Sequence, residues 1–350
     1  MTMAQTHTDC NPLNRTDCPS MEALGGNVTF NFNDTIDNAI WMQQNAGEMG
    51  QDDEDGAYFT ILKSGQSPMV QSKFYMFFGR VSIIMQAANG TGIISSAILQ
   101  SEDLDEIDWE FKGGKSNFVY SNYYGKGDNT TNDRGEDHQL DFAPQNGYHN
   151  YTIDWQKNQT RWYVDDKQVR ELKFADAMGG KRYPQTPMNI RLGIWSGGDK
   201  SGNNQGTVDW AGGETDFSKA PFTMNVRQVY AHDYTSAKEY SWEGMDGSGD
   251  WEKVKVVAGT SDTLKDAESP HGIKDRYNAL SKTAKIAIAC SVLGFVVLCA
   301  LGALFYFIRQ RRAGRREFLA HQAAEQRENA ELLEYKQQTG ITGKPGYNRI

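Results

Sequence analysis

The stretch that decides the fold of this chain reads Asp105-Glu106-Ile107-Asp108-Trp109-Glu110-Phe111. Its residues alternate strictly, so an extended strand turns its three apolar side chains toward one face and the acids Glu106, Asp108 and Glu110 toward the other. The apolar face is typical of a protein core. The acidic face places three carboxylates side by side, and because they repel one another we expect a functional gain that offsets the repulsion.

The spacing of Glu106 and Glu110 suits catalysis at a glycosidic bond. In a strand that rises about 3.3 Å per residue their α-carbons are about 13 Å apart, and side chains that lean together bring the carboxyls within about 5 to 6 Å. A retaining glycosidase needs about 5 to 5.5 Å between the attacking carboxylate and the acid that protonates the leaving oxygen. Asp108 lies between them, where it can hydrogen-bond one glutamate and help to keep the other protonated. The alternative is a solvated acidic strand face.

This heptad and several other segments resemble one known family. The pattern Glu106-x-Asp108-x-Glu110 is similar to the signature of glycoside hydrolase family 16. Within that family the chain resembles the fungal Crh (Congo-red-hypersensitive) cell-wall transglycosylases, which attach chitin to β-glucan. The segments that carry this resemblance are Phe78-Gly79-Arg80-Val81, Gly90 to Ser96, Leu104 to Glu110 and Trp210-Ala211-Gly212-Gly213. The resemblance extends from about Cys10 to about Tyr234.

The resemblance assigns roles that the residues alone leave interchangeable between the two glutamates. It implies that Glu106 is the nucleophile, Glu110 the proton donor and later the base, and Asp108 the helper. It also implies transfer of chitin to β-glucan, because spacing cannot tell whether water or a sugar hydroxyl resolves the ester. Two alternatives stay open: a hydrolase of chitin or β-glucan with the same fold, and a non-catalytic polysaccharide-binding sandwich.

Candidate substrate-binding residues lie on later strands and loops. The resemblance implies that Arg191, Trp195 and Thr207, with Glu110, contact the chitin chain, although one extra loop residue between Trp195 and Thr207 departs from the family pattern. Aromatic rings stack on flat sugar faces, which makes two further residues candidates. These are Tyr120, on a strand that also presents Asn122 and Tyr124, and Trp210. Core packing or an aromatic ladder between strands is the alternative for each ring.

Composition and turn spacing favour an all-β domain. The chain has 35 glycines, 16 phenylalanines, 16 tyrosines and eight tryptophans, and its alternating runs predict about ten to a dozen short strands. We therefore expect two stacked antiparallel sheets, which the resemblance makes a concanavalin-like β-jelly-roll sandwich. The expected organisation is an N-terminal disulfide loop (1–24), the catalytic domain (25–238), a spacer (239–285), a transmembrane helix (286–308) and a cytoplasmic tail (309–350).

Several features indicate an oxidising, extracellular environment. Cys10 and Cys18 are the only cysteines before an apolar segment that contains Cys290 and Cys299, so we expect them to pair by elimination. Residues 1–10 contain no apolar run that would serve as a signal peptide; because the resembled family is secreted, we expect that the signal has been removed or that the start is misassigned. Asn-x-Thr glycosylation sequons begin at Asn14, Asn27, Asn33, Asn89, Asn129, Asn150 and Asn158.

The C-terminal part predicts a membrane anchor. Residues 286–308 are an uncharged run long enough to cross a bilayer. Arginines follow directly, at Arg309, Arg311, Arg312, Arg315 and Arg316, and favour a cytoplasmic C-terminus. Many relatives carry a glycolipid anchor instead, but a polar stretch follows the apolar run here, so we expect one retained span in the plasma membrane. The catalytic domain of a monomer then faces the cell wall.

Other function classes lack support in the sequence. The net charge of −9 argues against nucleic-acid binding, which needs a basic patch. The six histidines are scattered, no cysteine and histidine cluster has the spacing of metal ligands, and no glycine-rich loop leads from a strand into a helix. We therefore expect neither a metal nor a cofactor. The expected partners are chitin, β-glucan and the membrane.

Overall fold

The computed structural model describes residues 8–33, 36–44, 46–268, 277, 280–338 and 340 of the chain. These residues fall into two units, a β unit within residues 1–270 and a helical unit within residues 271–350. The strands of the β unit are β1 (Met21–Glu22), β2 (Asn27–Asn31), β3 (Trp41–Gln44), β4 (Glu48–Asp52), β5 (Gly56–Ile61), β6 (Met69–Ser72), β7 (Gly79–Gln86), β8 (Ile93–Ser101), β9 (Glu106–Lys112), β10 (Phe118–Tyr124), β11 (Glu136–Gln139), β12 (His149–Trp155), β13 (Gln159–Val164), β14 (Lys167–Lys173), β15 (Met188–Ser196), β16 (Phe222–Asp233), β17 (Glu239–Ser241) and β18 (Lys255–Val257).

Two large antiparallel sheets make up most of the β unit. The front sheet has the strand order β11-β10-β9-β8-β15-β6-β3, and the back sheet has the order β14-β13-β12-β7-β16-β5-β4, with β2 paired to β16. A third, small sheet has the order β1-β17-β18. The short helices α1 (Gln205–Trp210) and α2 (Asp262–Glu268) lie outside the sheets, as do one-turn 3₁₀ helices at Phe174–Asp176, Phe217–Lys219 and Trp251–Lys253.

Alternating side chains explain why the two large sheets stack. On β9 the apolar residues Ile107, Trp109 and Phe111 are fully buried and belong to the main hydrophobic core. The back sheet supplies the same core with alternate residues of β7, such as Val81 and Ile83. Burying one face of each sheet against the other removes both apolar faces from water, which stabilises a sandwich. The structure thus confirms the predicted all-β fold of stacked antiparallel sheets.

The strand predictions were most accurate where alternation is strong. The strand predicted to present Tyr120, Asn122 and Tyr124 is β10 (Phe118–Tyr124). Between β13 and β14, Asp165 and Asp166 have φ values of 46° and 64°, as a tight hairpin turn requires. The described residues contain 18 strands, more than the predicted ten to twelve. The short strands β3, β4, β6 and β11 were missed because their few residues show no clear apolar alternation; β11, for example, is entirely polar.

The structure differs from the predicted spacer between residues 239 and 268. This segment contains β17, β18 and α2, and Tyr240 at the centre of β17 is fully buried in the main core. The Tyr240 hydroxyl donates a hydrogen bond to Oδ2 of the buried Asp233. Strands of three residues are too short to show a period, so no pattern of residues indicated them. Residues 269–276, 278 and 279 of the predicted spacer lie outside the described part.

The disulfide prediction is confirmed, since Cys10 and Cys18 are bonded with their α-carbons 5.5 Å apart. Cys290 and Cys299 are free. The sequon asparagines are all among the described residues. Five are exposed, at Asn14, Asn27, Asn89, Asn129 and Asn158, and two are half-buried, at Asn33 and Asn150.

The helical unit is dominated by α3, which runs from Lys282 to Gln338 without interruption. It contains the apolar run 286–308 and is, among the described residues, the one helix whose length and composition suit a membrane span. Its 57 residues extend about 86 Å at 1.5 Å per residue, whereas the hydrocarbon core of a bilayer is about 30 Å thick. The apolar run therefore suffices for one span, and the charged residues after it continue the same helix.

Candidate active site

The three acids lie where the alternation predicted, on the outer face of β9 in the middle of the front sheet. They are nearly inaccessible to solvent, with exposures of 2% for Glu106, 1% for Asp108 and 3% for Glu110. Their direct neighbours on β10 are, in the same order, Tyr124, Asn122 and Tyr120. Their neighbours on β8 are Gln100, Ile98 and Ser96. The three carboxyl side chains are therefore buried between residues of β8 and β10, although they lie on the face of the sheet opposite the main core.

Glu106 has partners that favour its ionised form. Burial raises the pKa of Glu106 above its ordinary value, and a hydrogen bond from Asp108, the positive charge of Arg191 and a hydrogen bond from Gln100 offset part of this rise. The Gln100 bond runs from Nε2 to Glu106 Oε2 and is 2.7 Å long. Donors and a cation that face one carboxylate stabilise its negative charge.

The surroundings of Asp108 favour its neutral form. Burial raises its pKa well above the ordinary value, and the charges of Glu110 and Glu106 and its hydrogen bond to Glu106 raise it further, while Arg170 opposes them. A protonated Asp108 has a proton to donate to Glu106, which is why the same bond lowers the pKa of Glu106. The hydrogen bond to Glu106 is a contact that the sequence predicted for Asp108, whereas its roles as a helper and in keeping Glu110 protonated stay predictions.

Glu110 has the environment of an acid that keeps its proton at neutral pH. Burial and the negative charge of Glu106 raise the pKa of Glu110 to about 8, and Lys112 lowers it only partly. Within the described part of the chain Glu110 Oε1 has no hydrogen-bond partner. Carboxyls that share a buried site are driven to different pKa values, which is how acid and nucleophile roles are separated.

A cavity of about 170 Å³ opens beside Glu110. The predicted residues Tyr120, Thr207 and Trp210 line it together with Glu110, and so do Asn122 and Tyr124 from the same face of β10. The remaining lining residues were not predicted; they are Asn132, Arg134, Gly135 and Gly206. The structure thus brings together residues from four separate parts of the sequence at one side of the carboxyl row.

Aromatic rings form a platform at the edge of this cavity. Trp195 and Trp210 are stacked, with ring centroids 6.1 Å apart and planes 15° apart. Tyr120 meets Trp210 edge to face at 5.6 Å, and Lys112 Nζ lies 4.6 Å from the Trp210 ring centroid and 4.9 Å from that of Tyr120. These rings form a partly buried group apart from the main core. Such a surface is suited to the apolar faces of sugars.

The other predicted binding residues flank the carboxyl row. Arg191 lies on β15, beside Ile98 of β8, with an exposure of only 2%, and its Nε donates a 2.9 Å hydrogen bond to Asn189 Oδ1. Thr207 lies in α1, whose first turn is capped where Thr207 N donates to Asn204 Oδ1 at 3.0 Å. Arg191 and Trp195 do not line the cavity. The charge of Arg191 acts on Glu106, and the Trp195 ring stacks on Trp210 in the platform.

Comparison with known families identifies the domain that carries this site. Residues 36–212 match the model of glycosyl hydrolases family 16, a range that contains the carboxyl row, the platform and α1. The chain is 47% identical to Crh-like protein 2 of Botryotinia fuckeliana over 345 residues, which is 97% of this chain and 75% of that protein. It is 44% identical to a Crh-like protein of Arthroderma benhamiae, over 90% of this chain and 86% of that protein.

The chain is a Crh-type member of glycosyl hydrolases family 16. Among solved structures, the Crh5 transglycosylase in complex with NAG is similar with a TM-score of 0.67 and 44% sequence identity, over 71% of this chain and 100% of that one. The family resemblance proposed from the sequence motifs is confirmed. Family membership assigns the chain an activity on glycosidic bonds, and the jelly-roll sandwich is the fold of the family.

The family 16 site also contains residues that sequence reasoning missed. Asn132, Arg134 and Gly135 lie in a loop of polar residues between β10 and β11, a composition that is ordinary for any surface turn. The feature that distinguishes this loop is structural: a Cβ at Gly135 would lie 1.5 Å from the Tyr120 hydroxyl, so the position requires glycine. Among the described residues, no group of three or more His, Cys, Asp or Glu is placed to hold a metal ion.

Proposed function

We propose that this protein is a membrane-tethered transglycosylase that cleaves chitin with retention of configuration and transfers the released piece to β-glucan of the fungal cell wall. The observation that carries the proposal is the unequal environment of the two glutamates. Glu106 receives hydrogen bonds from Gln100 and Asp108 and faces Arg191, whereas the pKa of Glu110 is raised to about 8. A retaining enzyme needs one carboxylate that attacks and one carboxyl that donates a proton. The partners of Glu106 favour the first role, and the raised pKa of Glu110 favours the second.

In the first step Glu106 attacks the anomeric carbon while Glu110 gives its proton to the leaving glycosidic oxygen. The bond to that oxygen breaks, and an ester forms between the sugar and Glu106. In the second step the ionised Glu110 takes a proton from a glucan hydroxyl, whose oxygen attacks the same carbon and releases Glu106. Asp108 orients Glu106 in both steps through its hydrogen bond.

Substrate binding follows from the residues around the row. Trp195, Trp210 and Tyr120 offer ring faces to the sugar, and Arg191 and Thr207 offer donors to its hydroxyls. The name of the Crh5 transglycosylase and its complex with NAG, which is the repeating unit of chitin, support the choice of chitin as donor. The assignment of β-glucan as acceptor rests on the resemblance to the Crh branch.

The proposed location is the plasma membrane, with the β unit outside the cell. The span within α3 is followed by arginines at positions 309, 311, 312, 315 and 316, and clusters of this kind stay in the cytoplasm. The disulfide between Cys10 and Cys18 and the seven sequons suit an oxidising, secretory environment for the β unit. We propose that the sequons are glycosylated and that the protein acts as a monomer.

A product analysis tests this function. The full chain in detergent is incubated with chitin oligomers and fluorescently labelled β-glucan oligomers, and mixed products are separated by mass. We expect mixed products from the wild type and none from Glu106→Gln, because the amide cannot form the ester. Glu54→Gln, in an exposed turn, serves as a matched control and should behave like the wild type.

The outcomes separate the proposal from its alternatives. Reducing ends that appear at a rate independent of added glucan indicate a hydrolase. Binding to chitin without any turnover indicates a polysaccharide-binding protein. Turnover by Glu106→Gln at the wild-type rate contradicts the proposed nucleophile.

A further inference from the structure

Arg170 is a charged residue at a position where the strand pattern calls for an apolar one. It lies on β14, the edge strand of the back sheet, and with Leu172 it is one of the two buried residues of that strand. Both side chains are 7% exposed and turn toward the front sheet. A buried arginine without partners is strongly destabilising, so the contacts of Arg170 decide what it does.

The guanidinium of Arg170 extends from the back sheet to the edge of the front sheet. Its Nη1 donates hydrogen bonds to Ser121 O at 3.0 Å and to Ser121 Oγ at 2.9 Å, and its Nη2 donates to Arg134 O at 2.6 Å. Nη2 also lies 3.3 Å from Glu136 Oε1, at the first residue of β11. Because the donors of a guanidinium form a rigid fork, Arg170 fixes β10 and the segment 134–136 relative to the back sheet.

Two aromatic rings hold the guanidinium in this position. Its central carbon lies 4.8 Å from the ring centroid of Trp162, the neighbour of Arg170 on β13, and 5.4 Å from that of Tyr123. A cation over such rings is stabilised and oriented. The Trp162 Nε1 in turn donates a 3.3 Å hydrogen bond to Asp108 O, in the middle of the carboxyl row. Arg170 is therefore connected to β9 through one ring.

A chain of hydrogen bonds continues from Arg170 along the edge of the front sheet. A guanidinium can only donate, so the Ser121 hydroxyl that accepts from it has its own proton available for His138 Nε2, which is 2.7 Å away. Burial lowers the pKa of His138, and the charge of Arg170 lowers it further, while Glu136 and Asp137 act to raise it. These surroundings favour a neutral imidazole whose Nε2 accepts the proton of Ser121.

These contacts lie directly behind the carboxyl row. Ser121 pairs with Trp109, the residue between Asp108 and Glu110 on β9. The positive charge of Arg170 also lowers the pKa of Asp108, against the burial and the neighbouring carboxylates that raise it. Arg170 thus fixes the backbone beside the acids and places a cation on the core side of their strand.

We infer that Arg170 is a positioning residue for the carboxyl row, which it supports from the back sheet by fixing β10 beside the acids and by holding a positive charge behind Asp108. It touches no sugar in this role. The inference rests on the proposed use of the row in cleaving glycosidic bonds. The charged and titratable groups that face Arg170 are Asp108 on β9, Tyr120 and Tyr123 on β10, Glu136 and His138 on β11, and Arg134 in the loop before β11.

Three variants separate the contacts of Arg170 from its charge. Arg170→Met keeps an apolar stem but loses the charge and the donors, whereas Arg170→Lys keeps the charge and loses the planar fork. Ser121→Ala removes one acceptor and leaves Arg170 in place. Arg161→Met is the matched control, because Arg161 lies on the adjacent strand β13 but faces the outer side of the sheet, where its Nε donates to Glu171 Oε2 at 2.8 Å.

The first measurement is the pH profile of turnover by the full chain in detergent, with chitin oligomers and labelled β-glucan oligomers. In Arg170→Met we expect kcat to fall at least about tenfold and the KM for chitin to change less than about twofold, because the acids shift while the sugar contacts remain. The pH optimum should move to higher pH by about half a unit, since loss of a cation raises the pKa values of a coupled carboxyl row.

The two milder variants have their own expected results. Arg170→Lys should keep the wild-type pH optimum and lose about threefold to tenfold in kcat, because the charge stays and the bidentate geometry is lost. Ser121→Ala should lose about threefold in kcat, as for one hydrogen bond. Arg161→Met should match the wild type in kcat, KM and pH optimum.

Hydrogen exchange provides a second measurement that does not depend on activity. In Arg170→Met the amides of β10 and of the segment 134–136 should exchange at least about tenfold faster than in the wild type, whereas Arg161→Met should leave them unchanged. Tryptophan fluorescence checks the fold of each variant, because all eight tryptophans lie between residues 41 and 251.

A wild-type kcat and pH optimum in Arg170→Met overturn the inference, and so does a fall in kcat that Arg161→Met shows equally. If Arg170→Met does not fold, wild-type kcat in both Arg170→Lys and Ser121→Ala overturns it. A pH optimum that moves equally in Arg170→Met and Arg170→Lys overturns the role of the charge. A wild type that forms no product from chitin contradicts the proposed function instead, and in that case unchanged hydrogen exchange in Arg170→Met still overturns the positioning role.

Discussion

Replacing Glu110 by glutamine should make the β unit more stable at neutral pH, because the native protein keeps an acid in a site that disfavours its charge. The pKa of Glu110 is raised from its ordinary value of 4.5 to about 8 by burial and by the charge of Glu106. A carboxyl whose pKa is higher in the folded than in the unfolded protein binds more protons when folded, so stability falls as pH rises. This loss begins near pH 4.5 and is complete above pH 8.

The size of the effect follows from the pKa difference. A difference of about 3.5 pH units corresponds to at most about 5 kcal/mol at 1.36 kcal/mol per unit. Asp108 and Glu106 remain in the same buried row, so part of the free-energy cost of ionising buried carboxyls persists in the variant. We therefore expect Glu110→Gln to raise the free energy of unfolding by at least about 2 kcal/mol at pH 8 and not to change it at pH 4. For a unit of this size that gain is about 4 to 8 °C in Tm.

Thermal unfolding of the full chain in detergent, followed by tryptophan fluorescence between pH 4 and 9, measures this gain. Every tryptophan lies in the β unit, so the signal reports its unfolding and not that of α3. Glu54→Gln, which removes an exposed carboxylate in a turn, is the control and should follow the wild-type curve. If Glu110→Gln and the wild type differ by the same amount at pH 4 and pH 8, the argument that burial keeps Glu110 protonated is refuted.

Two further predictions concern the surroundings of Glu110. Lys112→Met removes the cation that lowers the pKa of Glu110, so the alkaline limb of the pH profile of kcat/KM should move to higher pH by about half a unit. Lys112→Arg keeps the positive charge and should leave that limb in place. If the alkaline limbs of the two variants have the same midpoint pH, Lys112 does not have this role. Gly135→Ala places a Cβ 1.5 Å from the Tyr120 hydroxyl, so it should lower the free energy of unfolding by about 1 to 3 kcal/mol and should also lower the activity. Gly147→Ala is the control and should change neither quantity, because its Cβ meets its nearest atom at 3.9 Å. A Gly135→Ala protein that is fully active and stable shows that the loop does not pack tightly against Tyr120.

Much of the site could be predicted because it is encoded locally. Strict alternation within one strand places Glu106, Asp108 and Glu110 on one face in any strand of that sequence, and the same rule placed Tyr120, Asn122 and Tyr124 together. The prediction that a carboxyl pair lies within about 5 to 6 Å remains a prediction, since it rests on side-chain geometry. The disulfide could be predicted for a similar reason, because only two cysteines precede the apolar run.

The rest of the site could not be predicted because it depends on contacts between distant segments. The loop 132–135 becomes a cavity wall only when it folds against Tyr120, and nothing in its polar composition marks it. The buried strand β17 was missed for a related reason, since three residues carry no period and their burial depends on the partners β1 and β18.

The sequence by itself determined that the chain is an alternating, antiparallel β protein with a row of acids on one strand and an apolar helix near its end. Side-chain direction along a strand and apolar length along a helix are local properties, so no other part of the chain is needed to read them. Only the tertiary structure decided which groups surround each glutamate, and therefore which of the two has partners that stabilise a negative charge. Gln100 reaches Glu106 from the adjacent strand β8, and Arg191 acts on it from β15, on the far side of β8. The charge state of a buried carboxyl depends on every group that surrounds it in space.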